Sequence, residues 1–325
     1  MGTKKNQIVF CTFFDSNYMA QGLSMINSLF NVRSESLIYV TPTDKKALIA
    51  INNLNESRLK IIKLTEIINQ FPELENIRKE RSKAEFSYSL KGFICHYIFN
   101  TYKNFELLTY LDSDLFFFSS PQPIFNELNN KSIGLTSHNF HWLCNHQKKY
   151  GDFNAGWITF KNNSVSLKCI EDWRRDCTNW CYAFLERDKY ADQKYLNKWQ
   201  DNYSGVEVIK NKGANVAPWN IKKFKITYLN GQIYVDNQKL IFYHFSNLKQ
   251  IKNNVFNTNL SRVFMKASGI VKHKIYIPYI ESLILNKYNI IFVNRNSGFS
   301  MKRLILDLEK RIRRFFYNEI IDLNK

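Results

Sequence analysis

The sequence predicts an α/β layer architecture built on a largely parallel sheet. Three observations point there. Short apolar runs of strand length alternate with helix-like stretches through the first half of the chain. Capping residues stand between them, and acidic clusters follow two of the runs. Ile8–Phe14 is the first run, and Asp15-Ser16-Asn17 after it can cap a helix over Tyr18–Phe30. Leu37–Thr41 and Leu59–Leu64 read as buried strands, with a helix over Asp44–Asn53 between them. A long helix is expected over Glu85–Tyr102, then a buried strand Leu107–Leu111 that runs into Asp112-Ser113-Asp114. Ligands of open sheets bind at the carboxyl ends of the strands. Asp15 and Asp112 both stand at such ends.

From Lys131 the pattern is mixed. Ser132–Ser137 and Gly156–Lys161 read as strands and Val165–Leu185 as a helix. Lys225–Leu229, Gln232–Val235 and Leu240–Tyr243 read as a small meander with Asn230-Gly231 as a turn. Lys274–Lys287 and Ser300–Ile321 read as helices. The expected organisation is a catalytic domain over residues 1–250 and a basic, largely helical appendage over 251–325.

Composition narrows the class. Hydrophobic residues make up 45% and charged residues 23% of 325, a globular balance. No run approaches the roughly 18 apolar residues that a membrane span needs. The N-terminus lacks the features of a secretory signal, so residence in the cytoplasm is expected. Six scattered cysteines form no disulfide framework and read as small core hydrophobes of a reducing compartment. The formal charge of +18 raises affinity for polyanions, but no nucleic-acid-reading motif accompanies it. Phosphate-binding glycine loops, His-Glu-x-x-His and Gly-x-Ser-x-Gly are absent, which removes the main support for kinase, dehydrogenase, zinc-protease and lipase readings.

The strongest chemical signal is Leu111-Asp112-Ser113-Asp114-Leu115 inside an apolar run. Desolvated carboxylates need a cation or a solvated edge. A hard divalent ion such as Mn²⁺ or Mg²⁺ supplies that charge and takes substrate phosphates into its remaining positions. A capped turn is the plain alternative.

With those residues in place the chain resembles the GT-A glycosyltransferases, most closely glycosyltransferase family 8 and its bacterial relatives that build surface polysaccharides. Five blocks in order carry the likeness: Cys11 to Tyr18, Tyr110 to Asp114, Phe153-Asn154-Ala155-Gly156, Tyr190 to Leu196, and Tyr243-His244-Phe245-Ser246. The resemblance implies a GT-A-type, Rossmann-like mixed sheet flanked by helices with a C-terminal helical appendage. It implies transfer of a hexose-type sugar from a UDP-sugar to a glycan or glycoconjugate, with retention of anomeric configuration, in lipopolysaccharide, capsule or related assembly. By the same likeness Thr12, Phe13, Asp15 and Tyr18 line the uracil and ribose pocket. Asp112, Asp114 and His244 hold the metal, and Ser113 lies beside the diphosphate. Asn154 holds donor-sugar hydroxyls, while Asp192 and Gln193 lie near the anomeric carbon. Lys83 stands against the donor. Lys249 is the candidate diphosphate cation, although Asn247 replaces the family's usual glycine and makes Lys252 a rival.

Two weaker constellations remain. His138 to His146 gathers three histidines and Cys144, residue types that bind zinc but at no recognised zinc spacing. It reads better as an acceptor loop in which Trp142 and Tyr150 stack on sugar rings. Met301 to Phe316 forms a basic amphipathic stripe suited to the anionic inner face of a membrane and lipid-linked acceptors, to docking on its own domain, or to a dimer. The rival functions are a sugar-nucleotide nucleotidyltransferase, which would want a glycine-rich first loop, and a non-catalytic basic binder of glycans or nucleic acid.

Overall fold

The computed structural model describes residues 7–252, 254–267, 269–287 and 319–323. Its first half runs β1 (Ile8–Phe14), α1 (Met19–Val32), β2 (Leu37–Pro42), α2 (Lys45–Asn53), β3 (Leu59–Ile61), α3 (Leu64–Gln70), α4 (Glu73–Glu80), α5 (Lys83–Thr101), β4 (Leu107–Leu111), β5 (Leu115–Phe117) and α6 (Gln122–Leu128). Then follow β6 (Ile133–Ser137), β7 (Phe153–Lys161), α7 (Ser164–Asn179), α8 (Trp199–Asn202) and β8 (Val206–Ile209). The last third is β9 (Ile226–Leu229), β10 (Gln232–Val235), β11 (Gln238–Lys239), β12 (Phe242–His244), β13 (Lys249–Lys252), β14 (Val255–Asn257), α9 (Ile277–Lys287) and β15 (Ile320–Asp322).

Seven strands form the main sheet in the order β3-β2-β1-β4-β7-β6-β8. All its pairings are parallel except those of β7, which runs against both β4 and β6. Strand alternation sorts the side chains between two apolar layers. Val9 and Cys11 of β1, with Leu108 and Tyr110 of β4, pack under α5 and α7. Phe10 and Phe14, with Leu107 and Leu111, face the other layer beside α1 and α6. Each large side chain buried this way contributes about 1.5–3 kcal/mol of transfer free energy. Gly92 lets α5 lie close against α7, since a Cβ there would meet the Arg174 Cα at 3.1 Å.

Several helices begin where the sequence offers a cap. Asp44 accepts from the Ala47 N–H at 2.8 Å at the head of α2. Ser82 and Glu85 form a reciprocal capping box at the head of α5. Asn163 caps α7, which ends at Asn179 instead of continuing to Leu185. Beyond it Trp180, Tyr182 and Phe184 pack on one another in a loop.

The meander differs from expectation in its third strand. Gln238–Lys239 completes the three-stranded sheet with β10 and β9, while the following residues leave it. There β12 pairs antiparallel with β5, His244 opposite Leu115. The physical reason is burial: Phe242 and Tyr243 are fully buried, and Phe242 stacks on Trp157 at 5.1 Å. An edge position in a small exposed meander offers nothing comparable.

A third apolar cluster joins the last third to the rest, with Tyr243 and Phe245 packed on Tyr276 and Tyr279. The helix expected over Lys274–Lys287 is a π turn over Val271–Tyr276 followed by α9. That helix docks on α1, where the Asn286 amide donates to Ser24 Oγ at 3.0 Å. The basic stripe from Met301 to Phe316 lies outside the described residues. The helix expected over Ser300–Ile321 is corrected at its end, because Ile320 and Ile321 belong to β15, which pairs with β14. All six cysteines are free and buried.

Candidate functional site

The chain exits of β1, β4 and β6 lie along one edge of the sheet. Because β7 runs in reverse, its entry (Phe153, Asn154, Ala155, Gly156) lies along the same edge. Asp112 follows β4 directly and its N–H donates to the Gly156 carbonyl at 2.9 Å. Asp114 is placed by β5, and its carbonyl accepts from the Phe245 N–H at 2.9 Å. That bond and the β5–β12 ladder bring in His244, whose own N–H donates to the Val216 carbonyl at 2.8 Å.

The result is a compact trio. One ligand atom from each of Asp112, Asp114 and His244 lies within 4.8 Å of the others, and this is the single group of three such side chains among the described residues. His244 Nε2 stands 3.1 Å from Asp114 Oδ1. Burial presses the imidazole toward its neutral form, but Asp114 and Asp112 outweigh it and raise its pKa above the ordinary value. Burial likewise opposes charge on Asp114, and the imidazole more than compensates, so its carboxyl sits below the usual range.

Gly156 marks how little room surrounds the trio. A Cβ there would meet Asn154 Oδ1 at 2.6 Å, His244 Cε1 at 2.8 Å and Asp112 Oδ2 at 3.0 Å. Two carboxylates and an imidazole around a cradle that a methyl group would fill form a donor set suited to Mn²⁺ or Mg²⁺.

Two cavities meet at this trio and share Tyr88, Lys91 and Asp112 as a wall. The larger, about 710 Å³, is lined by Phe13, Asp15, Tyr18, Lys83, Ser113 and Asp114 among others. Asp15 is held in a turn, accepting from the Asn17 and Tyr18 N–H groups at 3.0 and 3.1 Å. Asp44 reaches across to the Ser16 N–H and hydroxyl, which ties the β1–α1 loop to α2. The smaller cavity, about 420 Å³, is lined by Asn154, Asp192, Gln193 and His244, with aromatic walls from Tyr150, Tyr190 and Trp219.

Lys91 is the residue that sequence reasoning missed. It sits on α5, only 6% exposed, with Nζ 3.1 Å from Asp112 Oδ1 and 3.1 Å from Asp192 Oδ2. Burial would discharge it, but those two carboxylates hold its pKa above the ordinary lysine value. The Tyr110 hydroxyl donates to Asp112 Oδ1 at 2.9 Å, completing that carboxylate's surroundings. Burial raises the Asp192 pKa, with Lys91 pulling against it. A lone lysine in Leu90-Lys91-Gly92-Phe93-Ile94, within a helix apolar nearly all round, was the available signal.

Asn154 turns back on its own strand, its Oδ1 accepting from the Gly156 N–H at 2.9 Å. Its Nδ2 donates to His138 Nε2 at 3.2 Å. His138 is 5% exposed, stacks on Phe140 at 4.7 Å and meets the edge of Trp219. Burial and the nearby His244 depress its pKa to about 3, so it is a neutral acceptor. His138 therefore belongs with the site, whereas Trp142 is 71% exposed on a short 3-10 helix. Tyr150 packs on Tyr190 at 4.5 Å and lines the smaller cavity.

Two residues expected at the donor stand apart from the cavity linings. Thr12 is fully buried and lines neither cavity, because alternation along β1 sends its side chain into the same layer as Phe10 and Phe14. Lys249 is exposed on β13 and also lines neither cavity, as is its rival Lys252. Asn247 takes a left-handed φ of 68°, which turns the chain away just after Ser246.

The seven-stranded mixed sheet with helices on both faces is the GT-A fold of glycosyltransferases. Its overlay on the galactosyltransferase LgtC, solved with donor and acceptor sugar analogues, covers 88% of this chain and 98% of that one, with a TM-score of 0.52 and 16% identity. No family model matches the sequence. Over 303 residues the chain is 30% identical to the uncharacterised protein YfnD of Bacillus subtilis (strain 168), covering 92% of this chain and 96% of YfnD. It is 26% identical over 253 residues to YfnF of the same organism, covering 75% and 83% of the two chains. The chain belongs to the family of YfnD.

Proposed function

We propose that this protein is a metal-dependent glycosyltransferase that moves a hexose-type sugar from a nucleotide diphosphate donor, a UDP-sugar, to a glycan or glycoconjugate acceptor. The observation that carries the reading is the Asp112–Asp114–His244 trio at the junction of two cavities in a GT-A fold. Catalytic work falls to residues 1–250, against which α9 and β14 of the described C-terminal part are packed.

The nucleoside belongs in the larger cavity, with Phe13, Asp15 and Tyr18 as its walls and Lys83 at its rim. Mn²⁺ or Mg²⁺ bound by Asp112, Asp114 and His244 would supply positive charge beside the donor diphosphate. The donor sugar belongs in the smaller cavity, where Asn154 and Gln193 offer amides to its hydroxyls. Transfer breaks the bond between the anomeric carbon and a phosphate oxygen and forms one to an acceptor oxygen. The departing phosphate oxygen takes the bonding electron pair, and the acceptor hydroxyl proton passes to that oxygen. Lys91, paired with both Asp112 and Asp192, holds the two carboxylates in place while that charge moves.

The carboxylates available support retention of anomeric configuration. An inverting mechanism needs a free base opposite the leaving group. The two carboxylates that line the smaller cavity, Asp112 and Asp192, are both spent on Lys91. We place the acceptor in bacterial surface-glycan assembly, as the resemblance to glycosyltransferases of that kind suggests. Among the described residues no helix is long and apolar enough to cross a membrane.

The test is a panel of UDP- and GDP-sugars with Mn²⁺, reading released nucleotide, beside Asp114→Asn. One donor turned over by the wild type, and lowered roughly hundredfold or more by the variant, is the expected result. A silent panel with no metal-dependent nucleotide binding by calorimetry would end the proposal.

A further inference from the structure

The charges lining the smaller cavity do not balance evenly along it. At the shared wall Lys91 is matched by Asp112 and Asp192. Toward the mouth, where Ser246, Asn247, Asn259 and Arg262 line the cavity, the single charged group is the Arg262 guanidinium. Among the described residues no ion pair involves Arg262, although salt bridges are formed elsewhere by Arg58, Arg78 and Arg174.

The arginine is held, not loose. Its Nη1 donates to Asn247 Oδ1 at 3.3 Å. The Asn247 carbonyl in turn accepts from Asn259 Nδ2 at 2.7 Å. Asn247 and Asn259 adopt φ values of 68° and 52°, the left-handed conformation that asparagine tolerates best after glycine. The turn carrying Arg262 is pinned from beneath. The Ser261 N–H donates to Glu319 Oε2 at 3.2 Å, and the Thr258 N–H and hydroxyl donate to the Glu319 carbonyl at 2.9 and 3.0 Å. Glu319, just before β15, thus fixes the turn that presents Arg262 at the smaller cavity.

We infer that Arg262, positioned by Asn247 and Asn259, is an anion-binding subsite that takes a phosphate group at the mouth of the smaller cavity. A guanidinium fork matches two phosphate oxygens at once, and its planar geometry makes that pairing specific. The phosphate has two sources: the donor's own diphosphate, or an acceptor that carries phosphate. The first source rests on the proposed function; the second requires only the cavity.

Calorimetry on the full chain separates these. Wild type and Arg262→Gln are titrated with UDP in the presence of Mn²⁺, with uridine, and with glucose 6-phosphate beside glucose. Expected is a loss of roughly tenfold or more for one phosphate-bearing probe in the variant, with uridine affinity unchanged. A loss confined to UDP names the donor diphosphate; a loss confined to glucose 6-phosphate names a phosphorylated acceptor. If both probes bind the variant as they bind the wild type, or the wild type binds neither, the subsite does not exist. Tight UDP binding unaffected by the substitution, with no glucose 6-phosphate binding, sinks this inference and leaves the transferase reading standing. No UDP binding, with arginine-dependent glucose 6-phosphate binding, does the reverse.

Discussion

The two cavities that share Asp112 are assembled in opposite ways. The larger draws its walls from the first third of the chain, from Phe13 to Asp114, and the loops that shape it are capped by near neighbours in sequence. The smaller draws on residues from Tyr88 to Val263, and its polar groups are fixed by partners far along the chain. Asp192, beyond α7, leans on Lys91 of α5. One cavity is held by turns and caps, the other by buried electrostatics. Short-range devices each contribute about a kilocalorie, whereas buried charges stand or fall together.

That contrast can be broken most forcefully at Lys91. Lys91→Met leaves Asp192 and Asp112 without their common cation and is expected to cost about 3–5 kcal/mol, read by urea denaturation. Adding Asp192→Asn should recover a large part of that loss. A Lys91→Met cost under about 1 kcal/mol would show that the wall between the cavities is not held by charge.

A smaller effect is expected from acid. His138 titrates near 3 when folded against an ordinary value of 6.5, so the folded state resists its protonation. Its contribution is therefore complete above pH 6.5 and is lost as pH falls toward 3. Between pH 7 and pH 5 the loss amounts to about 2 kcal/mol. Denaturation curves across that window should be steeper in pH for the wild type than for His138→Gln. Equal slopes would remove His138 from the electrostatic side of the comparison.

The least effect belongs to the larger cavity. Asp44→Ala removes the cap of α2 and the tie to Ser16, at about 1 kcal/mol of stability. Uridine affinity should fall with it, while glucose 6-phosphate affinity should not. Equal weakening of both ligands would mean that the cavities do not keep their supports apart.

The same contrast decides what could be read from the sequence. The strand before Asp112, the caps at Asp44 and Ser82, and the acid pair itself are local patterns, and period and capping rules reach them. Most strand placements of the main sheet followed from such patterns. Lys91 escaped because a cation on a helix reads as solvated unless its two carboxylates, one from the end of β4 and one from beyond α7, are known to converge. Thr12 stands within a recognisable block, yet alternation along β1 turns its side chain into the sheet's other layer. For β12 the apolar run was recognised, but its partner was not. Adjacency to β10 and β11 suggested a meander, and burial against Trp157 drew the strand to β5 instead.

The pairing of β12 with β5 also orders events during synthesis. Chains emerge from the ribosome N-terminus first, and domains begin to fold as they appear. All seven strands of the main sheet are available once Ile209 has emerged, and both aspartates are by then in place. The imidazole arrives only with β12, after the intervening meander has been made. A nascent chain stopped between Ile209 and Phe242 would therefore carry the sheet and both carboxylates but not the nitrogen that completes the trio. The trio thus stays incomplete until β12 has been made.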